Sequence, residues 1–149
     1  MTYFPATMAA ARIFPPFFAV MLLTLVVWLY MYARRIPFIV RNHFSDTQMA
    51  PQEFARLSPP PVSNPADNLK NLFELPTLFY ALILYLYLRG QVDALYVAGA
   101  WVFAVFRVLH SVVHCTINIV LLRFWLYCVG ALALWFMVLR AAMQLATTS

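Results

Sequence analysis

Arg107, His110 and His114 stand at i, i+3 and i+7 inside an otherwise apolar run. In a helix that spacing places all three on one face, and Asn118 continues the stripe if the helix persists. Upstream, Asn71 and Glu74 repeat the i, i+3 spacing. Downstream, Tyr127 follows Arg123 by one turn. An ionisable side chain at bilayer depth costs about 2.5–3.5 kcal/mol on the lower scale unless it is paired or solvated, so each such residue is a functional-site candidate. Glu74 lies about two turns from the start of its helix, and Arg107 roughly 15 Å from the end of an antiparallel neighbour. The two are expected to form a structural ion pair, because pairing relieves most of the cost of each buried charge. His110 would then hydrogen-bond the same carboxylate or a ligand. His110 and His114 make half of a metal site, but no Asp, Glu or Cys at useful spacing completes it. A haem would need histidines facing each other from two helices, and one helix holds both. Neither metal nor haem is expected.

The bilayer itself is implied by composition. Of 149 residues, 64% are apolar and only 10% charged, against roughly 45–50% and 25% in soluble domains. Mean hydropathy is +0.80. A domain this small buries about 68–70% of the surface its chain exposes, too little to hide so many apolar side chains from water. This excludes a soluble enzyme and a disordered tail. Three glycines leave no Gly-rich phosphate loop. The net charge of +5 reflects ten basic residues spread through an apolar chain, which suits membrane orientation and not nucleic-acid binding. Cys115 and Cys128 lie inside apolar runs and imply no disulfide framework.

The elements that must position the polar residues are four apolar runs, near 13–33, 67–88, 93–116 and 119–143, within a single domain, 1–149. Each is long enough to cross a hydrocarbon core as a helix, and none has the period-2 polarity of a barrel strand. The first is too long for the apolar region of a signal peptide and is followed by no small-x-small cleavage site, so it reads as a retained span. Pro76 is expected to kink the second helix. The fold class is an all-α membrane protein, a four-helix transmembrane bundle. Residues 36–65 hold six of the ten prolines, including Pro59-Pro60-Pro61, and are expected to be an irregular or polyproline-like loop. Arg34, Arg35, Arg41, Arg56, Lys70 and Arg123 fall on one side of the membrane, against Arg12, Arg89 and Arg140 on the other. That bias puts the long loop in the cytoplasm and both termini opposite. Arg34, Arg35, Lys70 and Arg123 also form a cationic rim that suits an anionic ligand, though the orientation bias alone accounts for it equally. Ala100-x-x-x-Ala104 permits close helix contact and hints at oligomerisation.

Several of these motifs resemble a known family. Asn71-Leu72-Phe73-Glu74 is similar to the N-x-x-E that opens helix two in the MAPEG superfamily, which includes microsomal glutathione transferases, prostaglandin E synthase, leukotriene C synthase and bacterial relatives. Arg107-Val108-Leu109-His110 resembles the R-x-x-H of prostaglandin E synthase, and Arg123 and Tyr127 its R-x-x-x-Y, with no gap from Asn71 to Tyr127. Ala33-Arg34-Arg35 resembles the A-R-R of leukotriene C synthase, and the segment from Pro51 to Arg56 is faintly similar to its P-P-E-F-E-R. The wording of these motifs looks most like the bacterial branch.

The resemblance implies a homotrimer with glutathione as co-substrate between neighbouring subunits near the cytoplasmic face. Lys70, Asn71, Glu74, His110, His114 and Tyr127 would hold the tripeptide, and Arg107 would position Glu74. Arg123, and Arg35 beside it, would stabilise the thiolate. A lipophilic substrate, an electrophile or hydroperoxide, would arrive from membrane lipid. Asp67 stands where catalytic members have an arginine, Phe124 where prostaglandin E synthase has a serine, and residues 58–65 look like an insertion. The function implied is a membrane glutathione transferase or peroxidase, in a bacterial inner membrane and not a eukaryotic endomembrane. The alternative is a non-catalytic lipid-binding or structural membrane protein on the same scaffold.

Overall fold

The computed structural model describes residues 8–148; the outermost residues of the expected 1–149 domain, 1–7 and 149, lie outside the described residues. All regular elements among them are helical: α1 (Met8–Ala11), α2 (Phe14–Asn42), α3 (Pro51–Leu57), α4 (Pro60–Leu72), α5 (Leu75–Leu88), α6 (Ala94–Cys115) and α7 (Val120–Thr148). Four stretches are long and apolar enough to cross a membrane: α2, α4 with α5, α6, and α7.

Prolines shape the first half of the chain, and here the expected loop needs correction. Pro15 and Pro16 open α2, where a missing N–H costs little. The helix does not stop at the arginines. It runs through Pro37 to Asn42, and His43 ends it in the left-handed region at φ 48°. Its 29 residues span about 43 Å, more than the ~30 Å of a hydrocarbon core. The extra turns are held by aromatic packing: Phe38 meets Phe44 at 5.3 Å and Phe54 of α3 at 6.1 Å. Of the Pro59-Pro60-Pro61 run only Pro59 is extended, at φ −68° and ψ 160°. Pro60 and Pro61 occupy the first helical positions of α4, where φ is pre-set and no donor is needed. Pro65 lies inside α4 and has no N–H for the Pro61 carbonyl; Arg34 Nε donates to that carbonyl at 3.4 Å instead.

Helix two is broken between α4 and α5 at Phe73 and Glu74, just ahead of Pro76. The pyrrolidine ring clashes with the preceding turn, and the residue before it resists the α region. Gly90 closes α5 at φ 65°, with its N–H on the Tyr87 carbonyl and that of Gln91 on Leu86. A left-handed turn at a helix end favours a residue without Cβ.

Helix α6 is the centre of the bundle, packed along α7 and touching α2 and α4. Its core face brings Tyr96, Ala100, Phe103 and Ala104 against Phe79, Leu134 and Met137, with Phe79 and Phe103 stacked at 4.5 Å. Ala100 and Ala104 are thus spent inside the chain's own core, so this stripe is no oligomer face. Leu132, Phe136 and Leu139 on α7 point outward, as suits contact with lipid tails.

Asp93 ties the far end of α6 to α7. Its Oδ1 accepts from Leu95 and Tyr96 N–H, both at 3.0 Å, capping α6. Its carboxylate also takes both nitrogens of Arg140, one at 2.9 Å, while that guanidinium lies 4.3 Å over the Tyr96 ring. The Arg140 hydrogen bonds hold the Asp93 carboxyl below its ordinary 3.8. A carboxyl that titrates lower when folded stabilises fully above the ordinary value and loses that contribution as pH falls through the folded one. Asp93→Ala should therefore cost about 1 kcal/mol at neutral pH. Thermal melts of both proteins at neutral pH and near pH 3 should show the gap closing in acid.

Candidate functional site

Neutral amides line the inner face of α4 with a helical period: Asn64, Asn68 and Asn71, at i, i+4 and i+7. Each meets the α6–α7 unit. Asn68 is fully buried; its Oδ1 accepts from Ser111 Oγ at 3.3 Å and its Nδ2 faces Cys115 Sγ at 3.4 Å. Asn64 Oδ1 accepts from Asn118 Nδ2 at 3.1 Å. Asn71 lines a cleft of about 220 Å³ with His110, Val120, Arg123, Phe124 and Tyr127. Tertiary packing therefore brings four of the sequence-predicted residues (Asn71, His110, Arg123, Tyr127) into one space. The amides at 64 and 68 were absent from the sequence reading. Their spacing with Asn71 was the available signal, obscured by the prolines around them.

The histidines and Arg107 form the floor of this region. His110 Nδ1–H donates to the Arg123 carbonyl at 2.9 Å, so in the neutral ring Nε2 carries the lone pair, and Nε2 has no partner among the described residues. His114 is also buried, edge-on to His110 at 5.6 Å, with Nδ1 unpartnered. Arg107 is only 1% exposed. Its guanidinium lies 5.3 Å from the Phe103 ring and 4.7 Å from the ring of Tyr127, itself a wall of the cleft. None of its three nitrogens has a hydrogen-bond partner among the described residues. Cation–π contact returns about 0.5–2 kcal/mol, less than the several kcal/mol that an unpaired buried charge costs.

The expected Arg107–Glu74 ion pair is not formed within the chain. The break ahead of Pro76 turns Glu74 outward and leaves it exposed. Its charge still reaches Arg107 electrostatically but makes no hydrogen bond to it. Arg35 and Lys70 lie apart from the cleft as well. They line a second cavity of about 370 Å³ beneath α3, with Phe54, Ala66 and Asp67. Arg35 sits 4.5 Å over the Phe54 ring, and Lys70 pairs with Asp67 at 2.9 Å. The expected set is thus divided within one chain: the cleft with His114 and Arg107 behind it, the α3 cavity, and an outlying Glu74.

Over residues 13–143 the sequence matches the model of the MAPEG family. The chain belongs to the MAPEG family. No curated protein and no solved structure matches it. Membership, with four long apolar helices, makes this MAPEG chain an integral membrane protein.

An unpaired guanidinium in a MAPEG bundle is a liability to the ligand-free fold. Arg107→Met, which keeps the stem and removes the charge, should raise the melting temperature of the ligand-free protein, by about 1–4 kcal/mol in stability. A fall instead would mean that an anion from outside the chain already pairs with Arg107.

Proposed function

We propose that this MAPEG protein is a membrane glutathione transferase or peroxidase, assembled as a homotrimer, with Arg123 stabilising the glutathione thiolate. One observation carries the reading. Arg123 stands in a cleft with Asn71, His110 and Tyr127, and its guanidinium is held by the neutral amide of Asn118 at 2.6 Å, so its charge is uncompensated. A free thiol has a pKa of about 8.5, which a neighbouring cation lowers. Arginine keeps its proton at every working pH and so acts by charge and hydrogen bonding, not as an acid.

The chemistry then needs no protein nucleophile. The thiol proton passes to water. The thiolate lone pair forms a C–S bond with an electrophilic carbon, and the leaving group departs with its electron pair. With a hydroperoxide, the thiolate attacks the distal oxygen, the O–O bond breaks, and the departing alkoxide takes a proton from water to become the alcohol, leaving the sulfenic acid. A second glutathione then displaces water from the sulfenic acid to give the disulfide. Holding the thiolate where a membrane-dissolved acceptor arrives supplies proximity. Asn71, His110 and Tyr127 would bind the tripeptide, and the unpartnered Arg107 and His110 Nε2 favour a ligand with carboxylate and N–H groups. Glu74, Lys70 and Arg35 lie outside the cleft of their own chain, so they would serve a site shared with a neighbouring copy, as the family resemblance implies. The long polar segment would face the cytoplasm of a bacterial inner membrane.

A second reading, a non-catalytic lipid-binding protein, is favoured by two features. Lys70 spends its charge on Asp67, and Phe124, 54% exposed, presents an apolar ring at the cleft. Thermal stability with millimolar glutathione separates the readings. Ligand at about 100 times its dissociation constant should add about 2.7 kcal/mol. The shift should be lost in Arg123→Ala. No shift at any concentration, with fatty acid or phospholipid found by mass spectrometry of the purified protein, would support the second reading.

A further inference from the structure

The loop between α6 and α7 holds Arg123 through a chain of side-chain amides. Arginine has donors and no acceptor, so the group facing Arg123 Nη1 at 2.6 Å must be Asn118 Oδ1. That choice turns Asn118 Nδ2 toward Asn64, whose Oδ1 accepts it at 3.1 Å. The orientation of each amide is thus dictated by the cation at one end and anchored on α4 at the other. Asn118 itself sits in the left-handed region, φ 46°, with its N–H on the Val113 carbonyl at 2.7 Å. Asparagine is one of the few residues with a side chain that accepts this backbone. The main chain of Arg123 is pinned separately, by His110 Nδ1–H on its carbonyl at 2.9 Å.

We propose that Asn118 is a positioning residue, which fixes the Arg123 guanidinium in the cleft through the Asn64–Asn118 relay while leaving its charge free for an anionic ligand. The inference rests on the proposed thiolate role of Arg123 and extends it to two residues outside the cleft lining. The physical point is the choice of amides. A long arginine stem carries about 2 kcal/mol of rotamer entropy, so an unheld guanidinium would be spread over many positions. A carboxylate at 118 would hold it as well, but would neutralise the charge that the thiolate needs. An amide holds one of five N–H donors and leaves the net charge and the other four for ligand. Asn64 lies on the first turns of α4, so the relay ties the α6–α7 turn to the start of the second span.

The test uses the full-length, detergent-purified protein with three variants. Asn118→Gly keeps the left-handed backbone and deletes the amide. Asn118→Asp keeps the shape and adds a counter-charge. Asn64→Ala removes the far anchor. The readouts are the ultraviolet absorbance of the glutathione thiolate against pH, kcat and KM with an aryl halide electrophile, and the melting temperature. In Asn118→Gly the midpoint for thiolate formation should rise by about one pH unit and kcat should fall about tenfold, with KM for glutathione within about twofold. Asn118→Asp should move the midpoint up at least as far despite keeping its hydrogen bond, and Asn64→Ala should move it in the same direction by less. A lower melting temperature with an unchanged thiolate midpoint in the Asn118 variants would overturn the positioning role and leave the thiolate reading standing. A wild-type protein that forms no glutathione thiolate would overturn both.

Discussion

A guanidinium inside a membrane bundle must find partners among side chains, because lipid tails offer none. Arg107, on the most enclosed helix of this protein, has two aromatic rings near it and no hydrogen-bond acceptor among the described residues. The arrangement of the half of the bundle around it follows from that constraint. Polar residues on α6 are turned inward, toward α4 and α7. α4 brings amides to them and α7 the Arg123 carbonyl and Tyr127, and among the described residues no carboxylate pairs with Arg107 or Arg123. Neutral groups leave both arginines their charge, which keeps the region electropositive.

The α6–α7 unit is pinned at both ends, by different physics. At one end Asp93 combines a helix cap with a bidentate pair to Arg140, stacked on Tyr96. That pair lies where water can reach it, and its partners lock geometry more than they add energy. At the other end the buried His110 reaches the carbonyl of the half-buried Arg123, a neutral bond. Between them Gly99 lies against Met137, with room for no Cβ unless the Met137 side chain gives way. Rigid pinning matters for a site whose members come from three helices, since binding and catalysis both degrade when groups drift by an ångström.

The α4 entry joins this unit to α2. Pro65 withholds an N–H from the Pro61 carbonyl, and Arg34 takes the vacancy, so one of the rim arginines has a structural partner. The same helix presents Asn64, Asn68 and Asn71 inward and Asp67 and Lys70 toward α3. Its two faces therefore serve two cavities, which is why the consecutive residues Lys70 and Asn71 do not share one.

Much of the architecture was written in hydropathy alone. Four apolar stretches of membrane length, and a polar stripe on the third, follow from residue type and helical period, which need no tertiary information. The family match rests on the same local features. Spacing also put Asn71, His110, Arg123 and Tyr127 forward on their separate helices, because i, i+3 and i, i+4 relations survive in any helix, and the family resemblance joined them as one set. The rest depended on how helices meet. Whether Pro37 breaks α2 or lies inside it, and whether the 59–61 run stays extended or opens a helix, depends on the packing of Phe38 and on which carbonyls find other donors. The pairing of Glu74 with Arg107 was inferred from depth along two helices, but depth does not fix rotation, and the break at Phe73 rotated the carboxylate away. The Asn64–Asn118 bond joins residues 54 positions apart. No local pattern encodes it, since only the three-dimensional crossing of α4 with the α6–α7 turn brings those two amides within reach.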